Sequence, residues 1–195
     1  MASISKNIYR ELKRAMNETK NDLIKAEVAA TNRAAKTALS KTIKFVREKY
    51  NIKLKDIKPY TTISKATKNR ISAQIRISEK GIPLEFYGAR IKGARKGKRS
   101  MRGNVVYKEQ RGKEVKLDKA FIARANKPGQ LNAVFMRKGK ERLPIRELFG
   151  KSAFQLFKSQ KALDEMERIF YERFKIEMDY AVKAMQSGVF RESNH

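Results

Sequence analysis

From Ser5 to Tyr50 the chain contains neither glycine nor proline, and that absence commits its first quarter to helix. Good helix formers dominate the run. Ile8, Leu12, Ala15 and Met16 recur at helical spacing. So do Leu23, Ala26, Ala30 and Ala34, followed by Leu39, Ile43 and Val46. Ser3 or Ser5 can cap the start. Unbroken, such a helix would be roughly 70 Å long at about 1.5 Å per residue, more than a small domain needs. A break near Asn17–Asn21 is therefore expected, with the first turns projecting to a neighbour. Ala26, Ala29, Ala30, Ala34, Ala35 and Ala38 allow close approach by another element. That element is either the chain's own sheet or a second subunit.

After Tyr50 the periodicity changes. Asn51–Thr67 reads as a short helical turn ended by Pro59, then a basic connector. Arg70–Ser78 alternates, with Ile71, Ala73, Ile75 and Ile77 on one side and Arg70, Ser72, Gln74 and Arg76 on the other. Ile82–Tyr87 and Ala89–Ile91 read as a strand bent at Gly88, and Val105–Tyr107 and Val115–Leu117 continue the sheet. Phe121, Ala123 and Ala125 share a face, as do Leu131, Ala133 and Phe135. Pro128-Gly129 between them is strong turn chemistry. A second turn at Lys138-Gly139 leads to Arg142–Ile145. The connections are too short for crossover helices, so antiparallel pairing is expected.

From Ser152 to about Gln186 the pattern is helical again. Phe154, Phe157, Leu163, Met166, Ile169, Phe170, Phe174, Met178, Ala181, Val182 and Met185 form an apolar stripe expected to be core. Gly188 suits a C-cap, and Phe190–His195 a loose tail. The order predicts an α+β fold: a long N-terminal helix, a central antiparallel β-sheet with a basic loop, and a long C-terminal helix packed on the sheet. The segments are 1–50 (helical), 51–151 (sheet, carrying the loop 92–113) and 152–195 (helix and tail), in one structural domain.

Charge narrows function. The 195 residues carry 47 Lys and Arg against 20 Asp and Glu, a net charge of +27. Self-repulsion of that size favours a polyanionic or acidic partner. The loop Lys92–Lys113 holds nine cations, Lys92, Arg95, Lys96, Lys98, Arg99, Arg102, Lys108, Arg111 and Lys113, against the single acid Glu109. It suits a solvated hairpin, a docking arm for an acidic neighbour, or nonspecific contact with DNA phosphates. Tyr107 is its only aromatic, so a stacking platform for single strands is absent. The phosphate-loop spacing around Gly97-Lys98 is also missing. A basic nucleic-acid-binding module, contacting phosphates through this loop and the sheet face, is the rival reading. Deleting Gly93–Gly112 is expected to spare the fold and weaken assembly.

Catalytic chemistry has little to stand on. The one histidine is the last residue, His195, and there is no cysteine. That excludes disulfides and thiolate metal sites and fits a reducing compartment. Glu79, Glu85, Glu109, Glu114 and Asp118 show no metal-ligand spacing. Glu165 with Arg168, Glu172 with Lys175 and Glu177 with Lys183 read as solvated pairs. No catalytic, cofactor or metal residue is assigned, an enzyme is not expected, and no apolar run approaches the roughly 18 residues of a membrane span.

One motif remains. Val134-Phe135, Arg137, Gly139, Arg142-Leu143-Pro144-Ile145, Leu148, Gly150 and Ser152 together resemble the signature of the phage minor tail protein Z family. The resemblance extends more weakly from Leu23 to Phe157. Lys151 departs from the family, which often has Pro there. The resemblance implies a structural virion protein of a tailed phage or prophage, assembled in the host cytoplasm. It implies tail completion at the head-proximal neck for head–tail joining, in a cyclic homo-oligomer, a hexameric ring. Its neighbours would be neck proteins, tail terminator or tail tube proteins, with genomic DNA in the channel. By the same analogy Arg137, Gly139, Arg142, Leu143, Pro144, Ile145, Leu148 and Gly150 serve folding, holding the last strand against the start of the final helix.

Overall fold

The computed structural model describes residues 2–92, 104–127 and 130–187. Helix α1 runs without interruption through Ala2–Lys49, so the break expected at Asn17–Asn21 does not occur. Nothing in that stretch forbids the i→i−4 ladder, and Lys25 pairs with Asp22 at 2.8 Å one turn on. The chain clusters into two compact units, one of Met1–Lys41, Ile63–Ile75 and Glu165–His195, the other of Thr42–Thr62 and Arg76–Asp164.

The first unit is helical. Helix α4, Gln160–Gln186, runs antiparallel to α1 there, as the Arg33–Glu177 ion pair and the influence of Lys41 on Glu165 together require. Ala26, Ala30, Thr31, Ala34, Ala35, Ala38 and Leu39 are buried. The alanine stripe therefore closes against the chain's own elements. Asn32 fastens the Ile63–Ile75 segment to α1, its amide accepting from the Ala66 N–H at 2.8 Å and donating to the Ala66 carbonyl at 3.1 Å. At the other end of the helix Lys13 and residues 16–21 are exposed.

Glu177 corrects the expectation of solvated pairs. It is buried, and its carboxylate takes Arg33 at 2.7 Å and also Arg173 one turn before it on α4. Glu172 likewise pairs with Arg168 rather than Lys175. The hydrogen bond from Arg33, more than the nearby Arg173, holds the Glu177 carboxyl below the ordinary range against the opposing effect of burial. A depressed carboxyl stabilises the fold above its unfolded value and loses that contribution as pH falls through the folded one. Glu177→Gln is therefore expected to cost about 1–2 kcal/mol at neutral pH. The gap in melting temperature to the parent should close as the pH falls below the ordinary carboxylate range and Glu177 takes up its proton. A gap that stays constant in melting curves across that range would show that the ion pairs do not hold α4.

The C-terminal stripe is less buried than expected. Phe157 and Ile169 are fully covered, whereas Phe154, Leu163 and Val182 are exposed and the other members half-buried. One face of α4 is taken by α1, and the stripe is wider than that face.

The second unit carries the sheets. Its strands are β3 (Gly81–Pro83), β4 (Arg90–Lys92), β5 (Asn104–Tyr107), β6 (Val115–Leu117), β7 (Ala120–Lys127), β8 (Gln130–Arg137), β9 (Ile145–Glu147) and β10 (Phe149–Ser152). They follow β1 (Thr61–Ser64) and β2 (Gln74–Ile77), which pair with each other. Instead of one central sheet there are small ones, ordered β4-β5-β6, β7-β8-β9 and β10-β3, all antiparallel. Arg70–Ser78 shortens to β2, because Thr67 and Arg70 close a turn on each other. Leu84–Tyr87 winds into a 3-10 turn rather than a strand, ended by Gly88 in the left-handed region at φ 72°. The Pro128-Gly129 turn and the Gly188 cap lie outside the described residues. Lys127 and Gln130 nonetheless stand opposite each other in the β7–β8 ladder.

Near the start, α2 (Leu54–Ile57) continues into a 3-10 turn at Lys58–Tyr60, with Pro59 inside that turn. Near the end, β10 passes directly into α3, Ala153–Phe157. A capping box fixes that start: the Gln155 N–H donates to the Ser152 hydroxyl at 3.2 Å, and the Gln155 side chain accepts from the Ser152 N–H at 3.0 Å. The expected single helix is thus two, α3 and α4, interrupted at Lys158–Ser159. Ile57, Ile82, Tyr87, Val105, Val106, Val134, Ala153, Leu156 and Phe157 make the core of this unit.

Candidate functional site

Charge is not shared evenly between the units. The sheet unit holds 30 of the cations and 10 of the acids, which leaves +20 of the +27 there and +7 on the helical unit. Any surface recognised through its charge belongs first to the sheet unit.

The basic loop springs from a paired stem, with Lys92 on β4 opposite Asn104 on β5. Both ends of residues 93–103 therefore leave the sheet side by side. Arg95, Lys96, Lys98, Arg99 and Arg102 lie outside the described residues. No acid occurs between positions 93 and 103. Of the other candidates, Lys92 is engaged: Glu114 takes Lys92 at 3.0 Å and Arg90 at 2.7 Å. The Lys92 hydrogen bond, with Lys92, Arg90 and Lys108 nearby, lowers the Glu114 carboxyl.

Arg111 is a cap rather than a free cation. Its Nε donates to the Arg47 carbonyl at 2.9 Å and its N–H to the Lys49 carbonyl at 3.0 Å. It thereby satisfies the last turn of α1, where the helix dipole favours positive charge. Lys113 is exposed, and Lys108 is half-buried with its N–H on the Tyr87 carbonyl at 3.2 Å. The full deletion Gly93–Gly112 would remove β5, whose Val105 and Val106 are core, together with this cap. A deletion that spares the fold must stop at 93–103.

The motif divides in two. Its back half packs around the buried Tyr87, with Leu148 and Gly150 half-buried and Ser152 buried. Gly150 lies so close to that ring that a Cβ there would sit 2.7 Å from Cε2 and 2.9 Å from Cδ2. The Tyr87 hydroxyl donates to the Lys151 carbonyl at 2.9 Å. Burial, with Glu109 next, pushes that hydroxyl well above the ordinary tyrosine range. Leu148 joins β8 through its N–H to the Val134 carbonyl at 2.8 Å. Lys151, the departure from the family pattern, has its own role. Its N–H donates to Glu109 at 3.0 Å, and its ammonium reaches Glu109 at 3.2 Å and lies 5.3 Å from the centre of the Tyr50 ring. Tyr50, Tyr87 and Glu109 are partners that sequence reading passed over. The one signal was a glycine inside a strand, which marks close backbone approach.

From Arg137 to Arg146 the motif is on the surface, whereas Val134 before it is in the core. Every residue from Arg137 to Arg146 is exposed, Leu143 at 67 %. The tip is nevertheless tied. Arg137 Nη1 donates to the Arg142 carbonyl at 2.7 Å, and the Lys138 N–H donates to the Pro144 carbonyl at 3.0 Å across a cis Leu143-Pro144 bond. Arg137 also lies over the Phe121 ring at 5.4 Å, and Ile145 pairs with Arg137 in the β8–β9 ladder. Gly139 sits in open space at the turn.

Among the described residues no group of three His, Asp or Glu side chains gathers as a metal site, and no helix is long and apolar enough to cross a membrane. What the geometry offers is recognition surface: a charged hairpin stem and a tied, cationic tip with a bare leucine. No curated protein and no solved structure matches the chain. The family model described as prophage minor tail protein Z (GPZ) matches residues 7–187, which take in all but the first residues of α1, the other three helices, every strand and the whole motif. The chain belongs to the prophage minor tail protein Z family and is a structural protein of the phage tail.

Proposed function

We propose that the protein completes the tail at its head-proximal end and makes it competent to join the head, acting as a ring of copies, a hexamer in its simplest form, in the neck. The observation that supports this beyond family membership is the distribution of charge. A unit bearing +20, with a cation-only segment issuing from a fixed stem, suits placement against acidic neighbours around a DNA channel better than life as a lone chain. Neck proteins and the tail terminator or tube proteins are the neighbours such a ring would meet.

Contact with channel DNA is a second reading, favoured by the five cations without an acid at 93–103. It separates cleanly from protein docking, because phosphate binding falls linearly in log salt. Removing the protein from a producing phage is the direct test. Full heads and finished-length tails should accumulate unjoined, and adding purified protein should join them. Joined, infectious particles in its absence would overturn the proposal.

A further inference from the structure

The exposed turn between β8 and β9 is rich in donors and positive charge. Arg137–Arg146 holds five cations, Arg137, Lys138, Lys140, Arg142 and Arg146, against the single acid Glu141, and all of these side chains are exposed. Lys138, Lys140 and Arg142 make no ion pair among the described residues, and Glu141 pairs with none of them. The next acid along, Glu147, is half-buried and already engaged.

The ties inside the turn add to this bias. Arg137 occupies the Arg142 carbonyl at 2.7 Å, and the Lys138 N–H occupies the Pro144 carbonyl at 3.0 Å. Two main-chain acceptors are thus spent within the turn. The N–H groups of Gly139, Lys140, Glu141, Arg142 and Leu143 make no hydrogen bond among the described residues. A protein surface would meet such a turn with donors and acceptors mixed. A nucleic-acid backbone meets it with charged acceptor oxygens at regular spacing. Leu143, 67 % exposed among these cations, adds nothing to the core. An apolar side chain between cations is what minor-groove proteins set against the bases. The ties also hold the turn in shape before any partner arrives, so little conformational entropy is lost on binding.

We propose that this turn is a contact with duplex DNA separate from residues 93–103, with Lys138, Lys140 and Arg142 on phosphates flanking the minor groove and Leu143 facing its floor. Phosphate contacts carry no base information, so the turn would hold duplex of any sequence. This inference rests on the reading that the protein meets channel DNA, and names a further place where it does so.

Fluorescence anisotropy with a labelled duplex of mixed sequence, repeated across a salt series, reads the contact. The parent's affinity should fall linearly in log salt. The triple variant Lys138→Ser/Lys140→Ser/Arg142→Ser keeps both ties, which use Arg137 and main-chain groups. It should bind at least about tenfold more weakly, with a salt slope smaller by about 2–3. Leu143→Ala should weaken binding about threefold or more and leave the slope unchanged. Both variants should melt within about 2 °C of the parent. A parent that binds no duplex would sink the DNA reading as a whole. A triple variant with the parent's slope, or salt dependence lost entirely when Arg95, Lys96, Lys98, Arg99 and Arg102 become serine, would sink the turn alone. Head–tail joining lost in the triple variant with DNA binding unchanged would also overturn the inference and assign the turn to an acidic protein neighbour. The tail-completion reading fails on a different result, joined particles without the protein.

Discussion

Valine at position 150 is expected to unfold the sheet unit under conditions where the parent chain is stable. The Tyr87 ring is fully buried and its hydroxyl is fixed on the Lys151 carbonyl, so it cannot swing away from a new Cβ without opening the core. Leu84 closes a third side, 3.3 Å from where that Cβ would be. Overpacking against backbone-anchored groups costs about 3 kcal/mol, or roughly 6–12 °C in melting temperature for a chain of this size. Tyr87→Ala attacks the same contact from the other side and should cost about 3–5 kcal/mol through the cavity it leaves. Tyr87→Phe isolates the hydroxyl and should cost about 1 kcal/mol. Thermal melts followed by circular dichroism decide the matter. A Gly150→Val chain melting within about 1 °C of the parent would show that the Tyr87 contact does not hold β10 in place.

The second large effect concerns assembly rather than stability. Replacing Arg95, Lys96, Lys98, Arg99 and Arg102 together by serine removes the cations of 93–103 and leaves β4, β5, Lys92 and Arg111 untouched. Melting temperature should move by less than about 2 °C, as surface changes away from packed features usually do. Head–tail joining by the purified variant should fall more than about tenfold, since several charge contacts of roughly a kcal/mol each are lost at once. Full joining by a folded variant would remove the segment from the mechanism. If the loss of joining is matched by a loss of salt-sensitive DNA binding, the segment acts on phosphate. If joining is lost while DNA binding is unchanged, it acts on a protein neighbour.

Local signals in the sequence carried further than long-range ones. The alternation across Phe121–Ala125 and Leu131–Phe135 is found in the β7–β8 hairpin, where Phe121 stands opposite Phe135 and Ala123 opposite Ala133, with a register shift between Arg124 and Lys127. Gly88 bends the chain where its freedom at positive φ suggested it would. By contrast, β10 has no local signature. Its partner β3 lies nearly seventy positions earlier, and Phe149-Gly150-Lys151-Ser152 alternates in no usual way. The α3–α4 interruption was hidden for a related reason. Lys158-Ser159 breaks no rule of helix composition, and the Ser152 capping box fixes only where α3 begins.

The opposite error occurred in α1. Length argued for a break at Asn17–Asn21, but that stretch holds no glycine or proline, and the weak helix formers Asn17, Thr19 and Asn21 do not stop the ladder. Partnership was harder still to read. Glu177 looked like one more surface carboxylate until helix packing brought Arg33 across to it. Arg111 looked like a free cation until the end of α1 arrived beneath it. In both cases the deciding partner is distant in sequence, so spacing along the chain had no means of naming it.

The proposed role is positional, closure of the head-proximal end of the tail by this basic, two-unit chain. Imaging tails purified before head attachment, with the protein carrying a bulky tag after His195, tests it most directly. The account expects tag density as a ring at one end of each tail, and at the neck once heads are joined. Tag density along the tube, at the host-facing tip, or missing from joined particles would contradict it.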